Sequence, residues 1–473
     1  MSTRVLSFVL LAIFLVGFSL DAWAQAVPSG ESSMLVPPPV SDSGYPTGVG
    51  AEKRSNFLRL GVTFRTGYID NLYSGASSGT ISETTYSIYP TIAFDQTTYR
   101  RDLSVSYNPG FTFYHPSSAL NEVDQSASVA YNFRITPHVA IHAADTFLKT
   151  STSFNPASIG SVSISGPAPA IITPFASLLT NSVGGVLSYQ LSPTGMIGLS
   201  GDSFILRYPN LNQVPGLYDS NEGGGGFFYN YRLTGTQYLG GNYRYERITV
   251  SPTGAKFDTQ TDTIYFFYTI YLKQHLSLSA SGGPQYYEIT QTGTLNSGSA
   301  ASAVRTNPVW QWSQMKLADP RQVGSSQISI PTSKAWTPAL ATSMGWQERH
   351  TNFVAGYART VTSGRGLVGT FTSNSASANV RWQMLQKWTS GAGISYSSYK
   401  TVDALLVSST EGGHSLATSV TLEHPIGQRF YTSFGYDHLH QSYGGIPVIS
   451  ANPDSNRISG SISWQFARPL GGR

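Results

Sequence analysis

Charged side chains are scarce in this chain of 473 residues. Asp, Glu, Lys and Arg together make up 11% of it, against roughly 25% in an ordinary globular protein. The formal net charge is only +4 and no run of Lys or Arg occurs. Because a nucleic-acid interface needs a clustered basic patch, we expect no nucleic-acid partner.

Cysteine is absent, which excludes disulfides and thiolate metal ligands. Long apolar runs are also missing after residue 24, where no stretch approaches the roughly 18 apolar residues of a membrane-spanning helix. A mature protein in a membrane would therefore have to be a closed barrel, because open sheet edges and loops cannot lie in hydrocarbon. Aromatic residues reach 12%, with 28 Tyr and 47 Gly. This composition fits outer-membrane strands, a large secreted β-protein or a low-complexity adhesin.

The N-terminus predicts export from the cytoplasm. Arg4 precedes an apolar run over 5–20, and Ala22-Trp23-Ala24 is followed by Gln25. Residues 1–24 are therefore predicted to be a secretory signal peptide, with a membrane anchor as the alternative. Residues 25–55 are rich in Pro, Gly and Ser and predict a flexible periplasmic segment. The barrel itself is expected over 56–473.

The stretch 124–150 has the pattern of a membrane-crossing hairpin. Apolar side chains alternate with small or polar ones, first at Ala127, Val129, Tyr131 and Phe133 and then at Val139, Ile141 and Ala143. Successive side chains of a strand point to opposite faces, so each arm has one apolar face. Pro137 closes the first arm. Arms of about ten residues or more are long enough to cross a bilayer as tilted strands.

Short and long connections alternate along the chain. The short ones lie near Arg100, Pro137, Pro193, Gly235, Gln274, Arg349, Gln386 and Gly427, and the long ones near 70–82, 115–123, 151–180, 209–222, 250–258, 291–335, 364–371, 401–413 and 441–455. Outer-membrane barrels have short periplasmic turns and longer external loops. We therefore predict an all-β transmembrane antiparallel up-and-down barrel of about 18 strands in the cell outer membrane, with both termini periplasmic. The arms near 196–208 and 276–289 alternate poorly, which widens the expected range to 16–18.

Tyr and Trp gather near the expected strand ends, as in the aromatic girdles of outer-membrane barrels. Ordinary β-propensity would also favour these residues. The residues are Tyr99, Tyr107, Tyr114, Tyr208, Tyr286, Tyr287, Trp336, Trp346, Trp388, Tyr396 and Tyr399.

Arginines recur on the parity assigned to the lumen, which makes them pore-lining candidates: Arg59, Arg65, Arg232, Arg244 and Arg381. A barrel of 16 to 18 strands leaves room for an aqueous channel. Cationic rows along its wall would favour anionic solutes. Alternatively, these side chains pair with acidic loops folded inside and only stabilise the structure.

The long connection 291–335 contains Trp310 and Trp312 and is followed by Trp336. A loop of this length is usually functional. These tryptophans are candidates for a constriction or cap of the pore, and an external receptor surface is the alternative.

Motifs for catalysis or cofactors are weak. His438 and His440 share a strand face, but no third metal ligand is apparent, so we expect no metal. There is no G-x-S-x-G elbow. The glycines at 223–226 are followed by no helix and no Lys-Ser/Thr pair, so they are not a phosphate loop, and a local bend or thinning of the sheet is expected there. We predict a non-enzyme without cofactors.

One stretch resembles a known family. The pattern R-x-D-L-S-V-S-Y-N-P-G-F from Arg100 to Phe111, followed by a strand that ends in Thr136-Pro137, resembles the β-barrel porins encoded in exopolysaccharide gene clusters. The resemblance implies a pore for polysaccharide or small polar solutes, with no catalytic residues. The expected partners are outer-membrane lipid and lipopolysaccharide, the barrel-assembly machinery and polysaccharide-export components. A homo-oligomer is an open alternative to a monomer.

Three classes of function follow from these observations. The first is a porin-like channel for polar or anionic solutes, with polysaccharide export as its specific form. The second is a non-conducting barrel that serves as an anchor, adhesin or assembly component. The third, and least favoured, is an enzyme at the barrel rim.

We expect the purified mature chain to show heat-modifiable migration on gels, because a folded barrel resists detergent until it is boiled. Mobility without heating should differ from mobility after heating. A circular dichroism spectrum dominated by helix, or solubility without detergent, would contradict the barrel.

Overall fold

The strands of the computed structural model close into a single barrel. The structure describes residues 56–72, 81–150, 177–209, 217–251, 255–273, 275–294, 327–363, 367, 369–402, 412–443 and 453–469. They form one antiparallel sheet of 18 strands in which β1 pairs with both β2 and β18. The strands are β1 (Phe57–Ile69), β2 (Glu83–Thr97), β3 (Arg101–His115), β4 (Glu122–Thr136), β5 (Val139–Thr150), β6 (Leu178–Gln190), β7 (Gly195–Arg207), β8 (Ser220–Arg232), β9 (Gln237–Val250), β10 (Ala255–Lys273), β11 (Leu276–Thr294), β12 (Gln327–Gln347), β13 (Thr351–Ser363), β14 (Thr370–Gln383), β15 (Thr389–Thr401), β16 (Gly413–Pro425), β17 (Phe430–Tyr443) and β18 (Asp454–Pro469).

The strand count and the rhythm of connections confirm the predicted barrel. The two arms that alternate poorly in sequence are the complete strands β7 and β11. Seven of the eight predicted short connections lie at turns between paired strands, and the one near Gln274 falls between β10, which ends at Lys273, and β11, which begins at Leu276. We call this edge of the barrel the short-turn end and the opposite edge the long-loop end. The signal peptide and the segment 25–55 lie outside the described residues and stay predictions.

The two faces of the wall differ as the alternation predicts. On β1, the side chains of Leu60, Phe64 and Tyr68 are exposed on the outside. Arg59 and Arg65 project from the other face, and Arg59 meets an aspartate of β2 there. Similar exposed apolar side chains lie on the outer faces of most other strands. The wall is therefore apolar outside and polar inside, as a membrane-spanning barrel requires.

Helical structure is minimal in the described ranges, where the single helical element is the 3-10 turn Ser118–Leu120. Within those same ranges, no helix has the length and apolar character needed to cross a membrane.

Two sequence expectations need correction. The connection predicted over 291–335 is shorter, because β11 continues to Thr294 and β12 begins at Gln327. Four of the expected girdle residues, Tyr114, Tyr208, Tyr287 and Tyr399, are buried in apolar clusters. Alternation near a strand end could not tell an outward ring from one that turns over the lumen.

The apolar core of the barrel lies at the long-loop end. All four clusters of buried apolar side chains in the described part of the chain are built from strand ends at this edge. The largest, which we call the mouth cluster, joins β6 and β7 to β14, β15 and β17, which lie on the opposite side of the barrel. It comprises Leu178, Leu206, Tyr208, Leu217, Leu367, Phe371, Tyr399 and Tyr443. Opposite walls therefore meet across the lumen at this end.

The hairpin of β13 and β14 helps to fill the mouth, because the adjoining ends of the two strands turn into the barrel. Pairing of β13 with β12 stops at Leu340 and Arg359. Beyond this point the N–H of Val361 donates to Gln285 Oε1 at 2.9 Å, and Gln285 lies on the inner face of β11. Thr370 then bonds to Thr259 on the inner face of β10. No local sequence signal marks this inward turn.

The last strand pairs with the first along the full length of β1, from Phe57 opposite Pro469 to Ile69 opposite Arg457. At the long-loop end Asn456 Nδ2 donates to Asp70 Oδ2 at 2.7 Å. The Asn456 amide oxygen also accepts from the Tyr436 hydroxyl at 2.7 Å. A polar junction on the outer face thus fastens β17, β18 and the end of β1.

We predict that Asn456→Ala lowers the temperature at which the barrel loses its heat-modifiable form. The change removes several hydrogen bonds, each worth about 1 kcal/mol net. Tyr436→Phe, which removes only one of them, should produce a smaller shift in the same gel assay. Equal shifts for the two variants would show that the junction to Asp70 contributes nothing.

Candidate functional site: the lumen of the barrel

Hydroxyl groups line much of the lumen. Directly opposed Ser and Thr side chains on the inner face bond to each other between neighbouring strands at 2.7–3.0 Å. These pairs are Thr63–Ser463, Ser87–Thr112, Ser106–Ser128, Thr269–Ser279, Ser397–Ser415 and Ser433–Ser461. In the pairs Thr63–Ser463, Ser106–Ser128 and Ser433–Ser461 both residues are partly exposed. Each hydroxyl is both a donor and an acceptor, so these pairs can bond polar solutes of either kind.

Arg59 is neutralised by the wall itself. Its Nη2 donates to Asp95 Oδ2 at 2.7 Å, and the Asp95 side chain is fully buried. Ser104 donates to the other carboxylate oxygen at 2.7 Å. The three residues come from β1, β2 and β3, so this ion pair ties three strands together rather than presenting a bare positive charge.

Arg244 reaches across a whole strand. From β9 it forms a two-pronged ion pair with Asp202 of β7, at 2.7 Å for each nitrogen, and passes over Gly224 of the intervening β8. A Cβ on Gly224 would stand 2.8 Å from the Tyr245 carbonyl oxygen and 3.4 Å from Arg244 Nη2. Part of the glycine run at 223–226 therefore serves this contact, which is consistent with a local thinning of the wall.

Arg65 lies beside a second buried ion pair. Arg457 of β18 donates through Nη2 to Asp437 of β17 at 2.6 Å, and Arg65 of β1 is close enough to interact with both charges. The acidic partners in all these ion pairs lie on barrel strands. The sequence had left open that acidic loops fold inside to supply them, and loops do not supply these contacts.

Arg232 and Arg381 lie near the short-turn end, on the inner faces of β8 and β14. The Arg232 guanidinium donates to the carbonyl oxygen of Pro193 at 3.4 Å. The structure thus brings Arg59, Arg65 and Arg244 into separate ion-pair groups and does not gather the five into one filter.

Sequence reasoning overlooked the carboxylates of the lumen. Strand parity alone could have found them, since they occupy the same face as the arginines. The overlooked carboxylates are Glu83, Asp95, Asp102, Glu122, Asp124, Asp202, Glu222, Glu423 and Asp437, whereas strand parity had already assigned Glu246 to the lumen. The lumen therefore presents acidic and basic side chains together to a solute, and not rows of positive charge alone.

The proposed constriction residues fall into two groups. Trp310 and Trp312 lie outside the described residues. Trp336 is on the outer face of β12, 67% exposed, with its ring 5.2 Å from that of Tyr286, so its position does not fit a lumen constriction. The narrowing that the structure shows is the mouth cluster, where burial raises the pKa of the Tyr208 hydroxyl well above its ordinary value.

His438 and His440 share the outer face of β17, as predicted. His440 Nδ1 lies 2.8 Å from Asp454 Oδ1, and His438 Nδ1 lies 2.9 Å from Asn456 Oδ1. In the portion of the chain that the structure describes, no group of three His, Cys, Asp or Glu side chains is arranged to hold a metal ion.

A closed sheet with an apolar outer face and a polar lumen defines a transmembrane β-barrel of the outer-membrane class. No protein-family model and no curated protein sequence matches the chain.

Solved structures with a similar wall are outer-membrane proteins. The ferric-catecholate import receptor Fiu of E. coli K12 is 9% identical, with a TM-score of 0.42 over 88% of this chain and 82% of the receptor. OpdK of Pseudomonas aeruginosa, solved with vanillate, is 9% identical, with a TM-score of 0.37 over 87% of this chain and 99% of OpdK. OccAB4 of Acinetobacter baumannii is 8% identical, with a TM-score of 0.36 over 88% of this chain and 99% of OccAB4. Likenesses this distant carry no information about the solute.

We predict that Arg59→Gln destabilises the barrel, because it leaves the buried Asp95 carboxylate without its cation. Breaking a buried pair costs roughly 3 kcal/mol. The double variant Arg59→Gln/Asp95→Asn should recover most of the loss, and Arg232→Gln should lose little. The measurement is unfolding by urea in detergent. An unchanged stability with a shifted reversal potential would instead make Arg59 a selectivity residue.

Proposed function

We propose that this protein is an outer-membrane channel for small polar solutes, and that it favours neutral hydroxylated solutes over ions. Its short-turn end faces the periplasm and its long loops face the exterior. Outer-membrane lipid and lipopolysaccharide surround the wall, and the barrel-assembly machinery inserts it.

The observation that carries this proposal is the chemistry of the lumen. Paired Ser and Thr hydroxyls cover the inner face between strands, and Arg59 and Arg244 are neutralised by Asp95 and Asp202. Ion selectivity depends on charges that a passing solute can feel. Because these arginines are matched by carboxylates, the wall supports hydrogen bonding more than anion selection.

Export of a polysaccharide, which the sequence resemblance implies, is compatible with such a lumen. A saccharide chain is neutral or sparsely charged over much of its length and presents many hydroxyls. The proposal therefore extends to polysaccharide-export components as periplasmic partners.

A non-conducting barrel is the second candidate, and the mouth cluster favours it. Leu367 and Phe371 are completely buried in that cluster, between walls that a solute would have to separate. If this contact never opens, the barrel is an anchor or scaffold. If it opens, the cluster is a gate.

We predict that Leu367→Ser/Phe371→Ser raises single-channel conductance in planar bilayers, because it weakens apolar packing across the lumen. Phe371→Leu, which keeps the contact apolar, should conduct like the wild type. In a KCl gradient the wild-type reversal potential should stay near zero. Absence of current from the wild type and the double serine variant would favour the non-conducting barrel.

A further inference from the structure

Aromatic side chains occupy the inner face of β8 to β10, where ordinary barrel packing does not require them. Phe228 is on β8, and Tyr265, Phe267 and Tyr271 lie on the inner parity of β10, with Thr269 between the last two. The same strand carries an apolar outer face with Phe266, 66% exposed. Strand β10 is thus aromatic on both sides.

Two of these rings lie flat against the wall. A Cβ on Gly198 of β7 would be 2.2 Å from Phe228 Cζ, and a Cβ on Gly240 of β9 would be 2.5 Å from Phe267 Cε1. Each phenylalanine lies directly opposite the glycine that it covers. One ring face therefore rests on backbone, and the other is turned towards the lumen. Both side chains remain partly exposed.

Neutral amide side chains lie next to the two rings on β8 and β9. Asn242 of β9 is directly opposite Phe228 and is exposed on the lumen side. Asn230 of β8 is directly opposite Gly240, the glycine beneath Phe267. Asn side chains offer both donors and acceptors. The nearest charged group along β9, Arg244, is engaged by Asp202.

We propose that Phe228, Phe267 and Asn242 form a binding site for an oligosaccharide on the channel wall. We call the two phenylalanines the aromatic platform. The electron-rich face of an aromatic ring attracts the C–H groups of a sugar face, while the amide bonds to its hydroxyls. The site rests on the proposed function and names the solute class that the lumen would take.

The spacing of the aromatic platform suits a chain of sugars. The two rings cover glycines on β7 and β9, two strand spacings or roughly 10 Å apart across the sheet. One pyranose spans about half that distance, so the rings would contact sugars that are not adjacent, with Asn242 bonding to hydroxyls beside them. The site lies below the mouth cluster, so it is reached from the short-turn end without opening the mouth.

Ring-on-glycine packing also stabilises sheets without any ligand. Tyr89 of β2 provides the internal comparison, because its Cε1 would be 2.5 Å from a Cβ on Gly110 of β3. Tyr89 lies near Arg65 and its charged neighbours, so its surroundings differ from those of the aromatic platform. Loss of this ring should affect stability without affecting saccharide binding.

The test is calorimetric titration of the full-length folded protein in detergent with a β-1,4-linked glucose hexasaccharide. We expect saturable binding by the wild type, at least tenfold weaker binding by Phe228→Leu/Phe267→Leu, and retained binding by Phe267→Tyr. Asn242→Ala should also weaken binding and gives a second readout if the double variant does not fold. Phe266→Leu on the outer face and Tyr89→Leu should bind like the wild type.

The same proteins in planar bilayers separate this site from the proposed channel. Conductance without any hexasaccharide binding would overturn the site and leave the channel intact. Binding without conductance would support the site and contradict the channel. Equal affinities of the wild type, the double leucine variant and Asn242→Ala would also overturn the site.

Discussion

The constraint that shapes this molecule is that no backbone amide can face hydrocarbon without a hydrogen-bond partner. A helix satisfies its backbone hydrogen bonds within itself, whereas a strand needs a neighbouring strand on each side. The last strand of the sheet must therefore pair with the first, and here β18 pairs with β1 along the full length of β1. Once the sheet is closed, successive side chains of every strand face the lipid and the lumen in turn. This explains why apolar and polar residues alternate from β1 to β18.

Closure also determines what the interior can be. Side chains sent inward by 18 strands cannot fill the space with an apolar core, because 16 to 18 strands leave an aqueous lumen. The inner face of the wall accordingly carries hydroxyl pairs and ion pairs such as Arg244–Asp202, in which each positive charge is matched by a negative one. Apolar packing is confined to the long-loop end, where strand tips and the β13–β14 hairpin converge. The barrel is thus wet along much of its height and dry at its mouth.

Local sequence patterns were sufficient to predict the strands of the barrel wall, but not the contacts between side chains inside the barrel. The strand count and the inward parity of Arg59, Arg65 and Arg244 depend on alternation and on turn residues such as Pro137, which act over a few residues. The partner of Arg59 depends on strand register, since Asp95 comes from the next strand and Arg457 meets Asp437 across another hairpin. The inward turn of β13 depends on Gln285, which is distant in sequence and has no motif around it. Trp336 was misplaced because a loop was predicted where β12 had already begun.

The joint between the two ends of the sheet has a geometric consequence. Sliding β18 by two residues would leave every side chain on its proper face, so alternation cannot prevent such a slip. It would, however, set Asp70 against the carboxylate of Asp454 or the hydrocarbon of Ile458 in place of the Asn456 amide. The stagger between first and last strand fixes the shear of a barrel, and shear together with strand number sets its diameter. A few polar atoms at one rim of the barrel therefore help to set its diameter.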